Sequence, residues 1–386
     1  MQVMQSMDIA LKHLTERIRA ASTDGRPLRI RGGGSKDFYG YRLQGELLDT
    51  TSLNGILSYE PTELVVTVGA GTPLVELETL LSEHGQCLAF EPPHFQWSAC
   101  SGATVGGMVA AGLSGPARAS AGAVREYVLG LHLINGLGEE LVFGGQVMKN
   151  VAGYDVSRMM VGSMGTLGLI TEVSLKVLPV APAEATLVFA LDQANALECL
   201  HRWGGQPLPL NASCWVHDPT ASTGAQDLLF VRLRGAVAAV EAACKKMLAQ
   251  QPGTRMDPAQ AQADWELCRN QQLPFFNRPK EANQALWRLS VAQTAPALDL
   301  PWAQLVEWHG GLRWLWAPVD AATQLQAVAQ AHGGSAMIFV ADCAGSTWAE
   351  GLFGTKNSAE IAIQQRLKNS LDPKAIFNPQ RLFDRF

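Results

Sequence analysis

The sequence predicts an α+β protein whose glycine-rich first part is followed by a module built on an antiparallel sheet. Up to about residue 180, strand-like runs alternate with glycine tracts, and Pro179 and Pro182 mark the end of this part. From residue 183 the glycines no longer cluster, and helix-like segments alternate with strand-like runs. We therefore predict one domain at 1–180, a second at 181–355, and a C-terminal segment at 356–386.

Composition and charge argue against several classes of protein. The chain has 386 residues, of which 47% are apolar and 17% charged, as in a soluble globular protein with sizeable cores. A net charge of −5 and the lack of a Lys/Arg-rich run argue against nucleic-acid binding. No apolar run is long enough to span a bilayer, and the N-terminus lacks the features of a signal peptide. The seven cysteines are scattered without a Cys-x-x-Cys pair, so we expect no metal, no disulfide framework and a reducing cytoplasm.

Hydrophobic periodicity and turn signals predict the elements of the first part. A helix over 8–21 would pack as a lid on the first sheet through four apolar residues, Ile9, Leu11, Leu14 and Ile18. A helix over 73–84 has Thr72 as its expected N-cap and Pro73 as its first residue, and Gly85 would end it. The remaining predictions are strands over 28–31, 46–49, 55–59 and 64–68, a hairpin over 127–134 and 140–143, a short helix ending at 161, and a strand over 169–177.

In the second part we predict an α+β module with an antiparallel sheet. The predicted helices are 192–203, 236–250 and 320–332, and the predicted strands are 184–191, 227–233, 285–292, 312–317 and 336–341. A last helix is expected over 358–370, and no internal repeat is apparent.

The first glycine tract is the loop 31–35 (Arg-Gly-Gly-Gly-Ser), into which a short apolar strand runs. Glycine permits positive φ and close backbone approach, so successive N–H groups can converge on an anion such as a phosphate. The absence of a long amphipathic helix after it argues against a dinucleotide fingerprint, and Gly-Ser-Lys is not the order of a Walker loop. By itself this loop is either a plain turn or a phosphate site.

Two further glycine-rich tracts lie at 101–122 and 162–168. Small residues at this density mean that the backbone closely approaches either another helix or a flat ligand. Both alternatives stay open on composition alone.

The three tracts, followed by Asp-Pro-Lys at 372–374 and Asn-Pro at 378–379, resemble the FAD-linked oxidases of the vanillyl-alcohol oxidase/PCMH type. The matching motifs cover about 27–178 and 366–380. Within that family the chain is most similar to the FAD-binding subunits of glycolate oxidase, on its modest length, its compact middle region and Gly-Tyr-Asp-Val-Ser-Arg at 153–158. The resemblance implies a PCMH-type FAD-binding domain of two α+β subdomains, a smaller antiparallel-sheet cap domain, and a C-terminus that returns to the FAD domain.

The resemblance also implies which residues bind the cofactor. The pyrophosphate would be held by Arg31, Gly32, Gly33, Gly34 and Ser35. The flavin ring and ribityl chain would be lined by Ala103, Thr104, Val105, Gly106, Gly107, Gly112, Ser114 and Gly115, and the adenosine half by Gly165, Thr166, Leu167, Gly168 and Ile170. The family's glycine before an Arg-Asp pair corresponds to Gly122, and its returning segment contains Asn378. Lys149 would lie near the flavin N1–C2 edge, or is a solvated surface lysine.

Departures from the family pattern refine these expectations. Members that link FAD covalently have a His after the loop glycines, and some have a Cys before the Thr-Val-Gly, where this chain has Ser35 and Gly102. We therefore predict non-covalent FAD. Met164 replaces a family Glu, which leaves the backbone role of that loop intact. Stand-alone 2-hydroxy-acid dehydrogenases of the family carry paired His ligands with a carboxylate, and the corresponding stretches here, 308–314 and 332–336, offer no such set.

The implied function is that of an FAD-binding subunit that takes part in oxidation of glycolate to glyoxylate, with electron transfer through flavin. Its implied partners are a larger homologous flavoprotein and an iron–sulfur subunit, in the cytoplasm or peripherally at the inner membrane through the complex. The alternatives are a stand-alone FAD-dependent oxidoreductase of another small alcohol or hydroxy acid, and a flavin-fold scaffold without catalysis. No catalytic base can be assigned.

Several single residues have competing interpretations. One interpretation of Arg118 and Arg125 is that they pair with a phosphate or an acidic partner. The other is that they are surface arginines. Tyr154-Asp155 is expected to fix a turn rather than transfer protons, and His309 to be packed or partly exposed rather than a metal ligand. The tryptophans of the second part are expected in the core, with electron relay or a subunit interface as alternatives: 287, 302, 308, 314 and 316.

Overall fold

The computed structural model describes residues 2–95, 102–145, 155–218, 224, 226–341 and 358–382. The chain divides into two compact units. Unit 1 comprises Met1–Ser114, Ala123–Val180 and Thr355–Phe386, and unit 2 comprises Gly115–Gly122 and Ala181–Gly354. The predicted site residue Lys149, together with Tyr154, lies outside the described residues.

The helices and strands are numbered in chain order. The helices are α1 (Gln2–Asp24), α2 (Leu74–Glu83), α3 (Val105–Ala111), α4 (Arg118–Ala121), α5 (Val156–Met159), α6 (Gln193–Gly204), α7 (Val237–Gln250), α8 (Pro258–Arg269), α9 (Ala322–Ala331) and α10 (Ser358–Leu371). The strands are β1 (Leu28–Arg31), β2 (Glu46–Asp49), β3 (Ile56–Glu60), β4 (Val65–Gly69), β5 (Gln86–Cys87), β6 (Val128–Ile134), β7 (Glu140–Gly144), β8 (Leu169–Lys176), β9 (Leu178–Pro179), β10 (Ala183–Ala190), β11 (Leu210–Asp218), β12 (Gln226–Gly235), β13 (Thr254–Arg255), β14 (Gln284–Ser290), β15 (Gln304–Glu307), β16 (Leu312–Pro318) and β17 (Ser335–Ala341).

The main sheet of unit 1 is antiparallel, with strand order β3-β4-β8-β6-β7. Its buried valines and leucines form one core with the inward faces of α2 and α3. The predicted hairpin is confirmed as β6 and β7. In the connecting turn, Asn135 Oδ1 accepts hydrogen bonds from the N–H groups of Leu137 at 2.9 Å and Glu139 at 3.0 Å, which is the local role that favours Asn in turns.

The start of α2 differs from the prediction. Pro73 is the N-cap, and no side chain caps the helix. The Thr72 hydroxyl instead accepts from Gly55 N–H at 3.0 Å and donates to Gly55 O at 3.2 Å. Because Thr72 is fully buried, its hydroxyl satisfies these tertiary partners rather than the helix end. Gly85 follows the helix with φ +65°, as predicted.

The C-terminal segment packs alongside the first strand of unit 1. Leu28 N–H donates to Ile376 O at 2.7 Å, and Asn378 N–H donates to Leu28 O at 2.9 Å, while β1 pairs in parallel with β2. Helix α1 covers this region through buried residues at a helical spacing, Met7, Leu14, Ile18 and Ala21. The prediction for Ile9 is wrong, since its side chain is 68% exposed on the outer face.

Unit 2 is built on an eight-stranded antiparallel sheet in the order β13-β10-β12-β11-β15-β16-β14-β17. The sheet has two halves of four strands each, β10 to β13 and β14 to β17, which meet at the β11–β15 pair. From the centre of the sheet outward, each half presents its second, third, first and fourth strand in that order. A helix precedes the last strand in each half: α7 before β13 and α9 before β17. The sequence shows no internal repeat, yet the two halves of the sheet have the same topology. The duplication lies in how the strands pair and not in which residues they contain.

Five elements of unit 2 were not predicted: α4, β11, β13, α8 and β15. Four cysteines of unit 2 are buried: Cys199, Cys214, Cys244 and Cys268. Burial raises the pKa of the Cys199 and Cys244 thiols. Among the described helices, none combines the length and the apolar character that crossing a bilayer requires.

Candidate functional site

A cleft in unit 1 lies between the loop after β1, helix α3 and the C-terminal segment. It contains about 570 Å³ of open volume. The structure brings eight of the predicted cofactor-binding residues together along its wall: Arg31, Gly32, Gly33, Gly34, Ser35, Thr104, Gly107 and Asn378. Residues separated by more than 300 positions therefore line one site.

Two of the loop glycines are required by their surroundings. A Cβ on Gly32 would collide with Oγ1 of Thr104, a side chain that accepts a hydrogen bond from Gly107 N–H at 3.3 Å. Gly34 has φ +80°, and a Cβ there would collide with the guanidinium of Arg31. Glycine at both positions therefore lets the loop keep this shape without backbone strain at residue 34 and without crowding Thr104 at residue 32.

Asn378 joins the two other chain segments of the cleft. Its Oδ1 accepts from Ile30 N–H at 2.7 Å, and its Nδ2 donates to Met164 O at 2.7 Å. A Cβ on Gly165 would lie 2.7 Å from that Nδ2. Met164 takes part through its carbonyl, and the role predicted for the backbone of this loop toward the cofactor stays a prediction.

The charges around the cleft fit a pyrophosphate. Arg31, Lys36 and Arg381 contribute cations, and Asp37 is the carboxylate that lines it. The guanidinium of Arg381, a side chain only 6% exposed, donates to the carbonyls of Lys36 at 3.2 Å and Asp37 at 2.9 Å. A cradle that a Cβ would fill, with cations and hydroxyls beside it, suits the two negative charges of the FAD pyrophosphate.

Other predicted cofactor-binding residues do not line the cleft. They pack in unit 1 instead. Ala103, Val105, Leu167 and Ile170 lie in the hydrophobic core of unit 1. Thr166 is buried, and its hydroxyl donates to Ser163 O at 2.7 Å. Gly106, Gly112 and Gly168 allow close packing, since a Cβ on them would crowd Ala70, Gly162 and Leu133 respectively.

The last three predicted residues lie, in sequence, where the chain passes from one unit to the other. Ser114 Oγ accepts from Val124 N–H at 3.2 Å within unit 1. Gly115 and Gly122 belong to unit 2, where Gly122 has φ +92° after α4. Their roles toward the flavin stay predictions.

Nine residues of the cleft wall were not among the predicted site residues: Ile30, Lys36, Asp37, Tyr39, Leu43, Ala110, Ala111, Met164 and Arg381. Lys36 and Asp37 directly follow the glycine loop, and Arg381 lies three residues after Asn378. Their closeness in sequence to the glycine loop and to Asn378 was the signal that could have identified these three residues. Asp155 behaves as expected, because its Oδ1 accepts from Arg158 N–H at 3.1 Å and caps α5.

Unit 2 contains a strained corner at Trp308-His309-Gly310, where all three residues have positive φ (54°, 55° and 101°). Trp308 Nε1 donates to Gly115 O at 3.0 Å, and the Arg118 guanidinium lies 4.4 Å from the Trp308 ring centroid. One imidazole nitrogen of His309 lies 3.0 Å from Ser120 Oγ and the other 3.0 Å from Ser213 Oγ. These contacts compensate for backbone strain that would cost about 1–3 kcal/mol each at Trp308 and His309, and they place His309 as a packed residue. Within the described ranges, no three His, Cys, Asp or Glu side chains are grouped to hold a metal ion.

The His309 site predicts an acid-sensitive stability. Burial lowers the pKa of His309 from 6.5 to about 4, so the folded protein disfavours the imidazolium that forms in the unfolded chain below pH 6.5. Stability is therefore complete above that pH and is lost as the pH falls toward 4. Because the side chain is partly exposed, we expect a loss of about 1–2 kcal/mol between pH 7.5 and 5.

Urea unfolding at both pH values measures this loss. His309→Asn should remove most of it, since Asn tolerates positive φ and does not titrate. His13→Asn, at an exposed position on α1, should keep the wild-type difference. An equal loss in wild type and His309→Asn would contradict the assignment.

Comparison with known proteins agrees with this geometry. The sequence pattern of a family described as an FAD binding domain matches residues 11–144. Glycolate oxidase subunit GlcE of Escherichia coli (strain K12) is 40% identical over 370 residues, which cover 96% of each chain. The chain belongs to the GlcE family of FAD-linked oxidoreductases. FAD is accordingly its cofactor, and the recognition of the vanillyl-alcohol oxidase/PCMH type is confirmed.

Other relatives of this GlcE-family chain are less similar in sequence or match a shorter part of it. Glycolate oxidase subunit GlcD of Bacillus subtilis (strain 168) is 32% identical over 144 residues, 37% of this chain and 30% of that one. The solved structure of an alkyldihydroxyacetonephosphate synthase has a TM-score of 0.67 at 16% identity, covering 96% of this chain and 76% of that one. This second likeness shows the fold alone, a PCMH-type FAD-binding fold with an antiparallel-sheet module, as predicted.

Proposed function

We propose that this chain is the FAD-binding subunit of a glycolate oxidase complex, in which it takes part in oxidation of glycolate to glyoxylate by passing electrons through its flavin. The observation that carries the proposal is the near full-length similarity to a glycolate oxidase subunit, 40% over 96% of both chains. Bound FAD would supply the redox chemistry, accepting a hydride equivalent and passing electrons on.

We propose that 1–180 together with 356–386 forms the FAD-binding domain and that 181–355 forms the cap. The residues lining the cleft would hold the FAD pyrophosphate by backbone amides, hydroxyls and guanidinium groups. Ser35, at the family's covalent His position, supports FAD held without a covalent bond. The other predicted contacts to the flavin ring and adenosine are part of the same proposal.

The proposed partners are a larger homologous flavoprotein, such as the GlcD-type relatives, and an iron–sulfur subunit. The scattered cysteines of this chain support an external electron acceptor of that kind. The complex would act in the cytoplasm or peripherally at the inner membrane.

Activity of the isolated chain tests this division of labour. The chain should bind FAD but show little glycolate-dependent dye reduction when purified alone, and reduction should require co-purified partner subunits. Rapid anaerobic bleaching of its flavin by glycolate or another hydroxy acid, in the isolated chain, would instead support a stand-alone oxidoreductase. Full activity of a complex whose subunit has lost its flavin would support a scaffold.

A further inference from the structure

One ion pair lies within the cleft itself. Arg31 Nε and Asp37 Oδ2 are 2.7 Å apart, and the two side chains are 31% and 34% exposed. Both residues line the cleft, so the pair lies where the family resemblance places the FAD pyrophosphate.

The backbone of Asp37 is fixed independently of its carboxylate. Its N–H donates to Gly34 O at 3.1 Å, and its carbonyl accepts from the Arg381 guanidinium at 2.9 Å. The carboxylate can therefore leave Arg31 by side-chain rotation, and the loop keeps its shape. Partial exposure of both side chains makes this exchange inexpensive, because water replaces the lost contact.

A pyrophosphate is a stronger partner for Arg31 than a carboxylate. It carries two negative charges, and the planar guanidinium donates to phosphate oxygens in a matching fork geometry. With the pyrophosphate present, Asp37 would place a further negative charge in the same cleft. Asp37 is paired with the guanidinium through Nε. Because like charges brought close together repel, a pyrophosphate that engages this edge of the guanidinium would displace the carboxylate.

We propose that Asp37 is an internal competitor of the FAD pyrophosphate for Arg31: its carboxylate pairs with the guanidinium and is displaced when FAD binds. The inference rests on the proposed FAD site. Asp37 would thus hold Arg31 in the cleft before FAD arrives, and it would lower the affinity for FAD at the same time.

The prediction is that Asp37→Asn binds FAD more tightly than wild type. An ion pair with this exposure contributes about 0.2–1 kcal/mol. Since 1.4 kcal/mol corresponds to a tenfold change, we expect a gain in affinity of about 1.4- to fivefold. The dissociation constant is measured on the full-length chain after flavin removal, by titration of flavin fluorescence.

Two controls make the result specific. Asp24→Asn removes the partner of Arg26, 2.9 Å away, in the same unit and outside the cleft lining, and should leave FAD affinity unchanged. Riboflavin, which has the ring but no phosphate, should bind wild type and Asp37→Asn equally.

The other outcomes overturn the inference. Weaker FAD binding by Asp37→Asn would mean that the carboxylate orients Arg31 for the cofactor, and unchanged binding would mean that the exchange does not occur. Equal tightening toward riboflavin would indicate a general effect on the fold. Failure of the wild-type chain to bind FAD would reject the proposed site as well. If wild type binds FAD normally and Asp37→Asn does not bind it more tightly, only the proposed role of Asp37 is rejected.

Discussion

Replacing Gly34 by alanine is expected to weaken FAD binding by about 100-fold. A non-glycine residue at φ +80° is strained by about 1–2 kcal/mol, so the loop would relax away from its present shape. The new Cβ would also displace the Arg31 guanidinium, which removes a charge-assisted contact of about 1.5–3 kcal/mol. At 1.4 kcal/mol per factor of ten, the lower end of the sum, about 2.5–3 kcal/mol, corresponds to the expected loss of about 100-fold.

The FAD dissociation constant of the purified variant measures this effect. Gly85→Ala is the matched control, because Gly85 has φ +65° in the same unit and nothing lies within 4 Å of its added Cβ. Both variants should lose similar stability, and only Gly34→Ala should lose FAD. If Gly34→Ala bound FAD within twofold of wild type, the loop would not be the pyrophosphate cradle.

Replacing Lys368 by methionine is expected to lower the free energy of unfolding by about 3–5 kcal/mol. Lys368 is 3% exposed, and its Nζ donates to Asp372 Oδ2 at 2.7 Å, to Thr166 O at 2.6 Å and to Phe377 O at 3.0 Å. Burial lowers the pKa of Lys368, and Asp372 opposes that shift. Without the ammonium group, the fully buried Asp372 carboxylate would be left without its counter-charge.

Urea unfolding of the full-length chain measures this loss in the free energy of unfolding. Arg158→Met is the control, since Arg158 pairs with Asp155 at 3.0 Å but both side chains are about half exposed; it should cost no more than about 1 kcal/mol. Lys368→Met with Asp372→Asn should recover part of the loss. A Lys368→Met variant as stable as Arg158→Met would show that the buried pair does not stabilise the C-terminal segment.

Unit 1 could be predicted from its sequence where local signals and tertiary structure agree. Strands β1 and β2 have the predicted bounds, because short apolar runs are bounded by glycine and turn residues. Thr72 shows the opposite case: a good capping residue was used for a tertiary hydrogen bond that no local pattern encodes.

Unit 2 was less predictable. Strand β11 has consecutive buried residues over 212–215 and a bulge near its start, so it lacks the alternation that identifies a half-buried strand. Helix α8 has a clear start in Asp257 and Pro258, but its buried stripe is short. The capping residues were present in the sequence, but the hydrophobic periodicity was too weak to indicate a helix.

The glycine loop could be assigned from its sequence, and the groups around it only in part. Arg381 reaches the carbonyls of Lys36 and Asp37 across more than 340 residues, a contact that no spacing rule predicts. The competition between Asp37 and the cofactor could be inferred only from the position of both side chains in one cleft.

The most direct test of the account is the flavin content of the wild-type chain. The purified chain should carry FAD, close to one per chain at saturation, and should release all of it into the supernatant on acid precipitation. A chain that cannot be loaded with FAD, or flavin that stays with the precipitated polypeptide, would contradict an FAD site built on Arg31 to Ser35 without a covalent bond.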